Sequence, residues 1–186
     1  MMRLPWLIPL ILLAPAAAGA AEMRTLHVEH EGKRYVMQSE AVFDVGLEVL
    51  YEVFLDYELS PQFSSWIVEA RNVEREDGQR GYFIRNRGCL MFLCQTTVRE
   101  GRVEYVPFER LDAIADPALS DFEISNERWS FREEDGATIV TYRLEMVPKF
   151  WVPPVIGPWV IKRKLRSSGG DALDRIEELA QRRALD

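Results

Sequence analysis

Only two histidines occur in the 186 residues, His27 and His30. Both lie near the N-terminus, in LHVEHEG, ahead of the first clear strand pattern. Two ligands fall short of the three or four that a zinc site needs, so surface histidines are the simpler reading. With no other histidine, imidazole-based acid–base or triad chemistry has little material. G-x-S-x-G and Gly-rich phosphate-binding motifs are also missing. No apolar run beyond the N-terminal one is long enough to span a bilayer, which takes about 20 residues. Positive charge is in deficit too: the net charge is −7 at pH 7, which argues against nucleic acid as the main partner.

Cysteine is equally scarce. Cys89 and Cys94 are the only two, and they enclose Leu90, Met91, Phe92 and Leu93. In a straight strand their Cα atoms would lie about 16–17 Å apart, at about 3.3 Å per residue. A disulfide needs about 5.5–6 Å. The segment is therefore either a strand with free thiols or a hairpin, closed by a four-residue loop, with a bond. A lone C-x4-C pair is too small a ligand set for a metal.

The N-terminus is rich where the rest is poor. Arg3 precedes an apolar run from Leu4 to Leu13, and small residues lead to Ala18-Gly19-Ala20. This is the layout of a signal peptide with cleavage near Ala20, and it predicts a periplasmic location. An uncleaved anchor is the alternative. The leader is set at residues 1–21 and a single domain at residues 22–186, a length of about 165 that suits one domain. Export would permit the disulfide.

Residues 34–44 alternate as a strand, with Tyr35, Met37, Ala41 and Phe43 on one face. Asp44 is expected to cap a helix whose Leu47, Leu50, Tyr51 and Phe54 recur at helical spacing. A second short helix or turn, ELSPQFSSW, is broken by Pro61. Five strands follow: IVEARNVERED, GYFIRNRG, CQTTVREGRVEYVP, DFEISNERWSFREED and ATIVTYRLEMVP. Turns are expected at Asp77-Gly78 and Asp135-Gly136. The parity change between Ile124 and Trp129 predicts a bulge. After KFWVPPVIGPW a long helix runs to about Arg183, with a stripe of Leu173, Ile176 and Ala180. Ser167, Ser168, Gly169 and Gly170 interrupt it. They either leave space for a ligand or mark a kink or close contact. Asp56 and Tyr57 read either as a cavity acid and hydroxyl or, more simply, as a local cap and packing pair. The order gives an α+β domain with helices on one face of an antiparallel sheet.

The pattern resembles the START-like, or polyketide cyclase/dehydrase (SRPBCC), superfamily. The resemblance rests on SEAVFDVGLEVLYEVFLDYELSPQF, on ERWSFREEDGATIVTYRLEMVP with Trp129, Phe131, Gly136 and Thr138, and on VPPVIGPWVIKRKL. It covers nearly the whole mature chain and lies nearest to coenzyme-Q-binding START-like and bacterial cyclase/dehydrase proteins. It implies a helix-grip fold, a curved sheet wrapped around the C-terminal helix with two short helices after the first strand. It also implies an apolar cavity for a lipid, quinone, sterol-like molecule or polyketide. No cofactor is implied.

Candidate cavity residues are Phe54, Tyr82, Ile84, Tyr105, Trp129, Tyr142, Leu144, Ser168 and Gly169. By analogy with the superfamily, CLMFLC and FWVPPVIGPWVI would be neighbours at the cavity mouth. Leu90, Met91, Phe92, Leu93, Trp151 and Trp159 would supply its apolar part, and Lys162, Arg163 and Lys164 its basic part. Tryptophan and basic residues suit an anionic membrane surface. The alternative is that these residues fold into the core or onto a solvated helix face. Three functions stay open: a carrier for a hydrophobic ligand, a cyclase or dehydratase on a polyketide-type substrate, and a module that docks an envelope protein.

Overall fold

The computed structural model describes residues 21–185 apart from 77, 91–92 and 153–156. Residues 1–20 of the expected leader, the Asp77 half of the Asp77-Gly78 turn, and Met91 and Phe92 of the expected mouth lie outside the described residues. Eight strands form one antiparallel sheet: β1 (Glu22–Glu31), β2 (Arg34–Phe43), β3 (Ile67–Glu74), β4 (Arg80–Leu90), β5 (Leu93–Val106), β6 (Arg110–Ala115), β7 (Phe122–Glu134) and β8 (Ala137–Pro148). Their order across the sheet is β1-β2-β8-β7-β6-β5-β4-β3. The curved sheet grips α3 (Gly157–Arg183), and α1 (Leu47–Leu55) and the short α2 (Ser60–Phe63) follow β2. The expected helix-grip fold is the one observed.

Strand alternation sets the two faces of the sheet. Ala41 and Phe43 on β2, Phe131 on β7 and Val140 on β8 point inward. They meet Leu50, Tyr51 and Val53 of α1 and Ile176, Leu179 and Ala180 of α3 in one core cluster. The helical stripe read from the sequence is thus the buried one. Phe54 sits among Phe43, Phe63, Trp129 and Phe131, with ring centroids 5.5–6.4 Å away. Thr138, fully buried, donates to the Val45 carbonyl at 2.6 Å and ties β8 to the start of α1.

Several expectations change. β1 was not expected as a strand; it is an edge strand whose only fully buried side chain is Val28, so it lacks an alternating apolar pattern. His27 and His30 lie on it: His27 contacts Glu29, and His30 packs on Tyr35. β6 was also missed. Leu111, Asp112 and Ala113 are all buried there, because Arg110 and Arg128 cover Asp112 on the outer face. Asp44 does not cap α1. Gly46 holds that position, and the Asp44 N–H instead reaches Glu177 at 2.7 Å. The bulge falls between Phe122 and Ile124, earlier than expected, and lets Ser125, Glu127, Trp129 and Phe131 share the inner face. Asp135 and Gly136 form the expected tight turn, with φ of 53° and 83° between the paired Glu134 and Ala137.

Candidate functional site

Between the sheet and α3 lies a mostly apolar cavity of about 760 Å³. Small inward residues leave the space: Ser39 on β2, Gly88 on β4, Ser125 on β7 and Ala172 on α3 all line it. Met37, Val140, Leu144, Met146, Leu173 and Ile176 supply apolar wall. A volume of this size matches pockets that enclose most of a small organic ligand.

The inner end of the cavity is polar. Arg99 on β5 and Glu127 on β7 line it and form an ion pair, with side chains only 13% and 8% exposed. β6 runs between their strands and presents Ala113 and Ala115 on this face, so nothing taller than a methyl group separates the two charges. Burial opposes the Arg99 charge, but Glu127, then Tyr82 and Tyr142, outweigh it and raise the guanidinium pKa further. Tyr142 on β8 hydrogen-bonds Glu127. Burial first, and then the Glu127 charge, push its phenol well above its ordinary range. Tyr82 and Tyr57 are raised by the same two influences, with Arg99 opposing them. All three phenols therefore stay neutral at pH 7 and can donate hydrogen bonds. Among the described residues, Arg99 Nε and Ser125 Oγ of the lining and Tyr82 Oη behind it are buried without a partner. The arrangement can hold a neutral polar group in an otherwise greasy chamber, and it can position a neutral phenol beside a carboxylate.

The expected cavity residues divide. Phe54, Trp129, Tyr142 and Leu144 line the cavity. Tyr82 and Ile84 do not. They belong to a second core cluster with Tyr57, Val103 and Ala113, in which Tyr57 stacks on Tyr82 at 4.9 Å. Only further along the same face of β4 do Asn86 and Gly88 reach the cavity. Tyr105 is 47% exposed at the end of β5, where the alternation continues into solvent. Ser168 and Gly169 lie in a part of α3 whose side-chain surroundings are outside the described residues. Asp56 is occupied structurally: it accepts the Glu58 N–H, the Asn72 amide at 2.9 Å and Arg183 at 3.1 Å.

At the rim, Cys89 and Cys94 face each other across β4 and β5 and are disulfide-bonded. The ladder continues one pair further, Leu90 with Leu93, so the loop has two residues rather than the expected four. Both cysteines line the cavity together with Phe150, Trp151, Val152 and Ile161. The two cysteines that bound the first apolar stretch and these four residues of the second therefore border one cavity. Trp151 is 78% exposed. Trp159 points outward with Arg163 at 5.4 Å from its ring, and Lys162 is half-buried next to it in sequence. The side chains of Leu90, Leu93 and Lys164 lie outside the described residues.

Sequence reasoning missed Arg99, Glu127 and Trp66. Glu127 lies two residues before Trp129, and Arg99 four before Val103, so strand parity alone puts both charges inside. Trp66 had no such signal. Its ring lies over Gly88, where an added Cβ would come within 2.1 Å of it. Gly88→Val is expected to cost about 1–3 kcal/mol by overpacking, measured by thermal melting; an unchanged melt would show that Trp66 swings away freely.

The family model described as polyketide cyclase / dehydrase and lipid transport matches residues 44–168. The chain belongs to this family. As a member of the polyketide cyclase/dehydrase and lipid-transport family, it is expected to bind a hydrophobic ligand or to carry cyclase/dehydrase activity. Similar solved structures include the Zhui aromatase/cyclase from Streptomyces sp. R1128, at 10% identity and a TM-score of 0.63, covering 81% of this chain and 96% of that one. TTHA0849 from Thermus thermophilus aligns at 20% identity and a TM-score of 0.61, covering 80% of this chain and 99% of that one. Human STARD10 aligns at 12% identity and a TM-score of 0.56, covering 84% and 73%. At these identities the likeness establishes the fold. No curated protein matches the chain.

Proposed function

We propose that this protein is an exported carrier that holds a lipid, quinone or sterol-like molecule between its sheet and α3. The observation that carries this reading is the mostly apolar cavity of about 760 Å³ with the Arg99–Glu127 ion pair in its lining. A hydrophobic ligand gains about 25 cal/mol for each Å² of apolar surface it buries there. A single polar group on it would meet Arg99, Glu127 and Tyr142. The leader-like N-terminus supports export to the periplasm, and the disulfide at the rim suits that compartment. Native mass spectrometry of protein purified from a bacterial envelope tests the reading. A copurifying lipid or quinone supports it. An empty cavity together with a stoichiometric protein partner replaces it with an envelope docking module.

The exposed Trp151 at the opening, with Trp159, Arg163 and Lys162 nearby, supports docking on an anionic membrane while cargo passes. Phe92→Ser/Trp151→Ser is expected to abolish flotation with liposomes containing anionic lipid and to leave the circular dichroism spectrum unchanged. Undiminished flotation would remove the membrane from the proposal.

A second reading rests on the neutral Tyr142 phenol beside the Glu127 carboxylate. That pair could act in a cyclase or dehydratase on a polyketide-type substrate. Turnover of a soluble poly-β-ketone analogue, lost in Tyr142→Phe, would establish it.

A further inference from the structure

Glu177 on α3 is 3% exposed, yet its partners are backbone groups alone. Its carboxylate accepts the Asp44 N–H at 2.7 Å and the Ala21 N–H. The ion pairs of α3 among the described residues are Arg182–Glu178 and Arg183–Asp56, so no side-chain cation serves Glu177. The charged groups acting on it, Asp44 from the β2–α1 connection and Asp174 from α3 itself, are negative as well. Burial, and then these two carboxylates, push the Glu177 pKa up against the two N–H donors. A buried carboxylate among like charges is short of a cation. Ala21, whose nitrogen already points at it, packs against the main core cluster and directly precedes β1. Ala21 is also the residue that follows Ala18-Gly19-Ala20.

We propose that removal of the leader between Ala20 and Ala21, one residue before the boundary drawn at 21, supplies the missing cation: the new α-ammonium of Ala21 forms a buried ion pair with Glu177 that fastens β1 to α3. The inference rests on the export reading above. Hydrolysis of the Ala20–Ala21 peptide bond places the water oxygen on the Ala20 carbonyl, as a carboxylate. The Ala21 nitrogen takes up the protons and becomes an ammonium at neutral pH. In the precursor that nitrogen is an amide and donates one neutral hydrogen bond. In the mature chain the same atom carries a full charge in the same place. An α-amine ordinarily titrates near about 7.7–8.0, and pairing with Glu177 raises this. The added stability is therefore lost as pH rises through the raised amine value, and it is lost on the acid side as well once Glu177, whose own pKa burial raises, takes up a proton.

Two measurements decide it. First, the full chain is expressed with its leader and the purified product is weighed intact. A mature chain starting at Ala21 is expected; a start at Gly19 or Glu22 overturns the lock, and an unprocessed leader overturns the export reading instead. Second, the 21–186 chain with a free Ala21 amine is compared with the same chain Nα-acetylated, which keeps the N–H and removes the charge. The free chain is expected to melt about 4–10 °C higher at pH 7, a shift within reach for a domain of this size. Glu177→Gln is expected to erase the difference. Equal melting temperatures, or a difference that survives Glu177→Gln, overturn the lock irrespective of export. Should Glu177→Gln not fold, the pH dependence of reductive methylation at Ala21 decides alone: an amine pKa above about 9 supports the pair, and an ordinary value near about 7.7–8.0 overturns it.

Discussion

Arg99→Ala is expected to lower the melting temperature by roughly 6–20 °C. Removing one member of a buried ion pair costs about 3–5 kcal/mol, because the other charge stays buried without compensation. In a domain of this size each kcal/mol moves the midpoint by about 2–4 °C. The pair qualifies because both side chains are nearly inaccessible and, among the described residues, Glu127 would be left with the Tyr142 hydroxyl. The double variant Arg99→Met/Glu127→Leu is expected to behave differently. Replacing both charges by apolar groups of similar volume is often neutral or stabilising by about 1–4 kcal/mol, so its melting temperature should match or exceed that of the parent. Thermal denaturation of the three proteins separates the cases. A double variant as unstable as the single one would show that packing, not unpaired charge, controls this region. If a polar ligand group uses the cluster, the double variant also loses that ligand while gaining stability. Tolerating a cluster that is dispensable for folding is a mark of a site kept for recognition.

Thr97→Trp should have the largest effect on binding. Thr97 on β5 is half-buried and lines the cavity between the polar end and the disulfide rim. An indole at this position grows into open volume rather than into packed atoms, so it avoids the usual cost of overpacking. Lipid or quinone copurification, read by native mass spectrometry, is expected to fall at least tenfold with little change in melting temperature. Full ligand occupancy in Thr97→Trp would place the bound molecule somewhere other than this cavity.

Parts of the fold are plain in the sequence, and the reasons are local. Leu50, Tyr51 and Phe54 mark α1 because a helix repeats every 3.6 residues, and Val140, Tyr142 and Leu144 mark β8 because a strand repeats every two. Asp135-Gly136 marks its turn because both residues tolerate positive φ. The elements that escaped notice break these local rules. β6 is buried on both faces through Arg110 and Arg128, and β1 is an edge with one buried side chain. Asp44 looked like a cap because aspartate commonly is one, yet Glu177 claims its N–H from 133 residues away.

The candidate site follows the same division. Trp129, Tyr142 and Leu144 are recognisable as inward residues from alternation alone. Tyr105 obeys the same alternation and ends in solvent, because parity assigns a face but not what covers it. Arg99 and Glu127 carried the right parity all along. Their charge hid them, since a lone charge on an inward face reads as an error until its partner is known.

By itself, then, the sequence determined the α+β order, the family, the leader-like N-terminus and the choice between free thiols and a turn at Cys89 and Cys94. Each depends on neighbours in the chain or on spacing along it. Tertiary structure decided what depends on closure of the sheet around α3. It brought Arg99 to Glu127 across the small residues of β6, and set the disulfide rim against Phe150 and Trp151. It also aimed the Ala21 nitrogen at Glu177. Those contacts join residues 28 to 156 positions apart, and only the long-range packing of inward faces selects such pairs.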